Sequence, residues 1–202
     1  MGTPELLLPD LLSERTVALA GGARAAVVSA LSGLGARLVS LGGGVNALAH
    51  ELDAEAWAAE HSPVHALVYD AAAVFADGGA AGLRAAVDDG WSAIHAVATT
   101  AFIPTGRGAA IVLIAPREAA GAHATAVRAA LENTARTLSI EWARFAVTTT
   151  AITPGASTSD ADIATLVAFL VSPAGAYYSG CRFELGAVGS VTTGRAPSAD
   201  PG

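Results

Sequence analysis

The 202-residue chain has no lysine; all 11 of its basic side chains are arginines. It has a single cysteine, Cys181, which excludes an internal disulfide and fits a reducing cytoplasm. Placed in an apparent strand, that thiol reads as a small buried hydrophobe. Charge is scarce, at 14% of residues, and the formal net charge is -7. An acidic surface does not attract phosphate backbones or anionic lipids, so neither nucleic acid nor membrane is expected as a partner. No apolar run reaches membrane-spanning length, because Arg24, Arg37, His50 and Glu51 interrupt the most hydrophobic region. The opening "MGTPELLLPDLLSERT" has acids and no basic start, unlike a secretory signal. Metal-ligand patterns are also missing. His61 and His65 are spaced i,i+4, but Pro63 between them is incompatible with one helix, so no metal site is expected. There is no G-x-S-x-G elbow for a serine hydrolase.

What is present is a dense apolar chain. Hydrophobic residues make up 52%, mostly Ala, Val and Leu, alongside 22 Gly. Small residues of this kind suit close-packed layers of helix on sheet, and the length suits one domain with a sizeable core. Strand-like and helix-like segments alternate. Strands are expected at 15–20, 36–41, 45–50, 65–70, 109–115, 146–152 and 182–186, with a sharp turn at "GGG" (42–44). Helices are expected at 25–35, 54–60, 80–99, 122–143 and 159–171, the last capped by Ser159 or Asp160 with Asp162 in its first turn. Along 122–143, Val127, Leu131 and Leu138 form the core face, and Glu132 and Arg136 are placed to pair. Trp57, Trp91 and Trp142 read as packing residues; Asp88, Asp89, Glu118, Glu132 and Glu141 read as solvated helix charges. The pattern predicts an α/β fold: a Rossmann-type three-layer sandwich around a mainly parallel sheet of about seven strands. Residues 1–190 form this single domain, and 191–202 read as a flexible tail.

Sheets of this kind bind ligands beyond the carboxyl ends of their strands, where strand order reverses. "AGGARAAVV" (20–28) stands in the place of a phosphate-cradling glycine loop. Gly21 and Gly22 supply its first part, but Ala25, Ala26 and Val27 stand where further glycines would let backbone N–H groups approach a pyrophosphate. The strand at 36–41 ends in "SLGGG", with no acid to take a ribose hydroxyl.

Three stretches, "RTVALAGGAR", "HALVYDAA" and "RAALENTARTLSIEWARFAVTTTAITPG", together with the closing "SPAGAYYSGCRFELGAVG", resemble the short-chain dehydrogenase/reductase family over about residues 14 to 190. The resemblance implies a Rossmann-type subunit that assembles through its long helices and last strand, with NAD(P) as the ancestral cofactor. It also implies what has been lost. The family's Thr-Gly-x-x-x-Gly-x-Gly loop is matched at Gly21, with Gly22 beside it, and then departs. Its Asn-Asn-Ala-Gly stretch becomes Tyr69, Asp70, Ala71 and Ala72, which would put a phenol at the cofactor's ribose region. Asp53 falls where the family keeps an aspartate near the adenine, and Pro154 and Gly155 match a retained Pro-Gly turn, kept here for backbone shape. Of the catalytic positions, the Asn aligns near Ala98 and the Ser near Ala115 and Pro116, while Tyr-x-x-x-Lys falls on Ala124 and Arg128.

A chain without lysine cannot run the Tyr-Lys mechanism, in which the ammonium lowers the phenol pKa. Arg128 keeps the charge without the compact ammonium geometry. The expectation is therefore a catalytically inactive, cytoplasmic subunit that binds no cofactor or metal of its own. It would support an active paralogous oxidoreductase in a heterodimer or heterotetramer. Two alternatives remain: a divergent oxidoreductase, or a remodelled enzyme with non-redox chemistry. The halohydrin dehalogenases, which resemble this family, use Ser, Tyr and Arg with Tyr-x-x-x-Arg spacing, which Arg128 fits and Ala124 does not. There His123 or Tyr69 would have to act as the base.

Overall fold

The computed structural model describes residues 8–41, 51–76 and 78–186, with the backbone alone for 51–54. Among these residues six strands form one sheet: β1 (Thr16–Ala20), β2 (Arg37–Ser40), β3 (Ala66–Asp70), β4 (Ala109–Ile114), β5 (Val147–Pro154) and β6 (Arg182–Leu185). The order is β2-β1-β3-β4-β5-β6, and every pairing is parallel. The expected three-layer α/β sandwich is therefore present. The expected strand at 45–50, the "GGG" turn and the tail at 191–202 lie outside the described residues.

The sheet is buried on both faces, which is why its central strands read as unbroken apolar runs rather than as alternating patterns. Alternate residues serve opposite layers. Val17, Val68, Val112 and Ile152 face α1 (Ala25–Gly33) and α6 (Asp160–Val171), meeting Val27, Leu31, Ile163 and Val167. Ala18, Leu67, Ile111 and Ala151 face α4 (Gly79–Val97) and α5 (Ala124–Glu141). Burying each Val, Leu or Ile contributes about 1.5–3 kcal/mol. The remaining helices are α2 (Glu51–His61) and the short α3 (Ala71–Phe75), which follows directly on β3.

Local chemistry explains the helix ends. Ser159 caps α6 in a capping box: its Oγ accepts from the Asp162 N–H at 3.1 Å, and its own N–H donates to Asp162 Oδ2 at 3.0 Å. The core face of α5 is the one expected, with Val127, Leu131 and Leu138 all buried, and Arg136 pairs with Glu132 at 2.7 Å. The helix expected at 80–99 continues past Val97 in one wider π turn, Ala98–Phe102.

Three expectations need correction. Cys181 is half-buried and stands just before β6, because that strand, the last of the sheet among the described residues, begins only at Arg182. Trp91 is 49% exposed on the outer side of α4, while Trp142 is buried and Trp57 packs against the core. Asp89 is not solvated but 7% exposed, because α4 turns it inward beside Tyr69.

Candidate functional site

Strand order reverses between β1 and β3, since the chain runs outward from β1 to β2 and then returns to β3 on β1's other side. The carboxyl ends of β1 and β3 thus frame the crevice where ligands of this architecture sit. Residues 21–24 link β1 to α1. Gly21 has φ +76°, and a Cβ there would collide with the carbonyl of Asp70 and come within 2.7 Å of the Tyr69 ring. A Cβ on Gly22 would lie 2.7 Å from the Cβ of Ala73. Both glycines admit a close approach, and what approaches is the chain itself, at the end of β3 and the start of α3.

Arg24 occupies the N-cap of α1 with no side-chain capping bond, and its charge opposes the helix dipole. Its guanidinium is satisfied across the crevice instead. Nε donates to Asp70 Oδ2 at 2.9 Å and Nη2 to Asp70 Oδ1 at 3.3 Å, a forked pair, while Nη1 donates to Asp160 Oδ1 at 2.6 Å. Burial works against the Arg24 charge; the hydrogen bonds and charges of Asp70 and Asp160 outweigh it and raise its pKa. Asp70, 4% exposed, also accepts the Ala72 N–H at 3.1 Å and so caps α3. Two further arginines extend the network. Arg117 Nη1 donates to the Gly155 carbonyl at 2.8 Å, and its Nη2 lies 3.5 Å from Asp160 Oδ1. Arg128 Nη1 donates to the carbonyls of Pro116, at 3.0 Å, and Pro154, at 2.8 Å. The turns after β1, β3, β4 and β5 are all tied together at this rim. Beneath Arg24, the crevice lined by Leu19, Gly22, Val27, Val68, Asp70 and Ile114 has no room for a water-sized sphere.

The positions singled out in the sequence fall as follows. Arg128, Pro116 and Pro154 meet through the two hydrogen bonds just given. Ala124 is the buried first residue of α5, one helical turn before Arg128, and Ala98 is buried in the same core layer. Ala115 is fully buried. Gly155 donates its N–H to the Leu185 carbonyl at 2.8 Å, and a Cβ there would lie 2.7 Å from that oxygen. The backbone of Asp53 lies in α2, and its side chain is outside the described residues. Tyr69 lies with its ring edge against Gly21 of the turn after β1 and its hydroxyl on the α4 side. Side chains alternate along β3, so the residue beside Asp70 points into the α4 layer. There Tyr69 is fully buried and donates to the Ala86 carbonyl at 2.7 Å, against the bare backbone of Gly90. Burial first, and then the neighbouring Asp89 charge, push its pKa up. His123 is exposed with left-handed backbone at the start of α5 and does not converge with Arg128 on an enclosed pocket. Among the described residues there is no metal-sized cluster of His, Cys, Asp and Glu, and no helix long and apolar enough to cross a membrane.

Nothing in the sequence marks Arg117 or Asp160 as a site residue, and Arg24 stands there only as a charge in an apolar stretch. One signal was available: an arginine opening a helix, where Ser, Thr, Asp or Asn is favoured, needs carboxylates brought from elsewhere.

Solved structures share this architecture over most of the chain. A citronellol catabolism dehydrogenase of Pseudomonas aeruginosa superposes with a TM-score of 0.68 at 21% identity, covering 89% of this chain and 96% of its own. A hydroxysteroid dehydrogenase of Escherichia coli gives 0.70 at 18%, covering 89% and 99%. A Serratia marcescens short-chain dehydrogenase/reductase variant gives 0.68 at 19%, covering 87% and 97%. This chain has the short-chain dehydrogenase/reductase fold. No family model and no curated protein matches its sequence. In this fold the turn after β1 is where a dinucleotide's pyrophosphate would be cradled; here Gly22 lies against Ala73 of α3, and Arg24 bridges Asp70 and Asp160 across the turn.

Proposed function

We propose that the chain is a short-chain dehydrogenase/reductase relative that performs no redox chemistry itself and serves in the cytoplasm as the supporting subunit of an active paralogous oxidoreductase. The observation that carries this reading is the state of the catalytic positions. Ala98, Pro116 and Ala124 offer no titratable or hydroxyl group, and Arg128 is committed to two backbone carbonyls. Proton transfer of the kind this fold supports needs a group within hydrogen-bond reach of the substrate. Here the nearest imidazole in sequence, His123, faces solvent.

The outer surface of α4 and α5 supports the second half of the reading. An apolar groove of about 170 Å³ runs between the helices, lined by Val87, Gly90, Trp91, Ile94, Ala130, Leu131 and Thr134. Trp91 is half-exposed, and Ile140 on α5 is 78% exposed. Aromatic side chains at the centre of such a patch are typical anchors of interfaces. The partner is a second subunit with the same fold, joined as a heterodimer or heterotetramer.

The test is co-expression with the products of neighbouring genes, read by co-elution and by oxidoreductase activity of the complex on ketones and alcohols. Such a complex is expected to be more active or more stable than the paralogue alone. Saturable NADH or NADPH binding with turnover by this chain alone would overturn the proposal.

A further inference from the structure

Arg24, Arg117 and Arg128 are spent on the rim at the carboxyl ends of the sheet, and Arg136 and Arg182 share Glu132. The opposite rim is built differently. Arg37 opens β2, Arg15 immediately precedes β1, Arg107 stands two residues before β4 and Arg144 three before β5. Backbone bonds set these segments side by side. The Arg37 N–H donates to the Arg15 carbonyl at 2.9 Å, the His65 N–H to the Thr16 carbonyl at 2.8 Å, the Ala110 N–H to the His65 carbonyl at 3.2 Å and the Ala109 N–H to the Ala146 carbonyl at 3.3 Å. Neighbouring strands lie about 4.8 Å apart, so the four intervals from β2 to β5 make a cationic row about 19 Å long.

These charges are unspent. Arg37, Arg107 and Arg144 are exposed and Arg15 is half-buried. Among the described residues none of the four guanidiniums pairs with a carboxylate or donates a hydrogen bond, although Glu14 adjoins Arg15, Glu60 lies near the end of α2 and Glu141 ends α5. Nor do they cap the neighbouring helices, since the last turns of α1 and α5 hold no basic residue. His65 fills the place between Arg15 and Arg107, and both charges act on it. Its Nδ1 accepts the Thr16 N–H at 3.0 Å, which leaves the ring neutral with its proton on Nε2.

We propose that the amino-end rim is a docking strip for an extended acidic peptide of a partner protein, with Arg37, Arg15, Arg107 and Arg144 taking its carboxylates and His65 supplying a neutral Nε2–H between them. An extended peptide rises about 3.3 Å per residue, so six residues match the row. A single-stranded nucleic acid fits less well. Such ligands need aromatic faces for their bases, and here the Phe145 ring is covered by the guanidinium of Arg144, 4.5 Å from its centroid. The net charge of -7 also repels a long polyanion, while a short acidic segment meets only the local row. This inference is independent of the assembly reading.

The experiment titrates fluorescein-labelled hexaglutamate with the full chain at low ionic strength, read by fluorescence anisotropy, beside hexathymidylate carrying the same label. Saturable binding of hexaglutamate is expected, weakening as salt is added. R37Q/R107Q/R144Q is expected to bind about tenfold more weakly and R107Q alone about threefold. R84Q removes the same single charge from an exposed arginine of α4 and is expected to leave binding unchanged. Each variant is matched to wild type by circular dichroism; if the triple variant does not fold, R107Q against R84Q carries the test. No binding of hexaglutamate, equal losses in R107Q and R84Q, or tighter binding of hexathymidylate would each overturn the proposal. None of these outcomes bears on co-elution with a paralogue, so the two proposals fail separately.

Discussion

The rim at the carboxyl ends of the sheet and the outer face of α4 and α5 are opposites. The rim is polar and closed: three arginines spend their donors on two aspartates and three backbone carbonyls. The helical face is open, with half-exposed Trp91 lining an apolar groove and Ile140 in solvent further along α5. In enzymes of this architecture the rim is where ligands enter. Here the self-satisfied surface is the one expected to bind small molecules, and the unsatisfied surface is the one suited to a protein. That inversion is the strongest structural support for a role in assembly rather than in turnover.

Breaking the rim should have the largest effect. Arg24→Ala leaves Asp70 buried without its countercharge, and removing one partner of a buried pair costs about 3–5 kcal/mol; a fall of that size in urea unfolding is expected. Gly21→Ala attacks the same region through the backbone, at φ +76° and against the Asp70 carbonyl, and is expected to cost about 2 kcal/mol by the same measurement. The sheet between the two regions supplies a change of opposite sign. Thr149 Oγ1 is buried without a hydrogen-bond partner, so Thr149→Val is expected to stabilise the protein by about 1 kcal/mol.

The far end of the sheet gives a smaller, pH-dependent effect. His65 Nδ1 accepts the Thr16 N–H at 3.0 Å, and burial, with the charges of Arg15 and Arg107, lowers its pKa below 6.5. The unfolded chain therefore takes up this proton before the folded one does. The resulting stability is fully present above pH 6.5 and lost as pH falls from there through the folded pKa. Thermal melts of His65→Gln should show a flatter acid limb than wild type. The smallest effect on stability belongs to the open face. Trp91→Glu should change unfolding free energy by no more than about 0.5 kcal/mol while abolishing co-elution with a partner subunit. A large loss of stability in this variant would show that the face is structural, and the contrast with the rim would collapse.

The fold was legible because it rests on pattern. The apolar strands, the capping serine of α6 and the core stripe of α5 are local signals that tertiary packing reinforces. Asp89 reads as a solvated helix charge because its surroundings depend on which way α4 rotates over β3, and no local spacing sets that rotation. The arginine network was harder to see. Arg24 and Asp160 stand 136 positions apart, and only strand order brings α1 beside α6. The identities at Ala98, Pro116, Ala124 and Arg128 could be read directly; that Arg128 would turn to the carbonyls of Pro116 and Pro154 could not.

The fit of Gly21 and Gly22 against the exit of β3 sets a limit on redesign. Ala124→Tyr and Arg128→Lys together would install a Tyr-x-x-x-Lys spacing without altering the close approach of Gly21 to Asp70 or of Gly22 to Ala73. Reshaping that turn would require those two neighbours to shift as well, so engineering a proton-moving pair and engineering a nucleotide-gripping turn are separate problems.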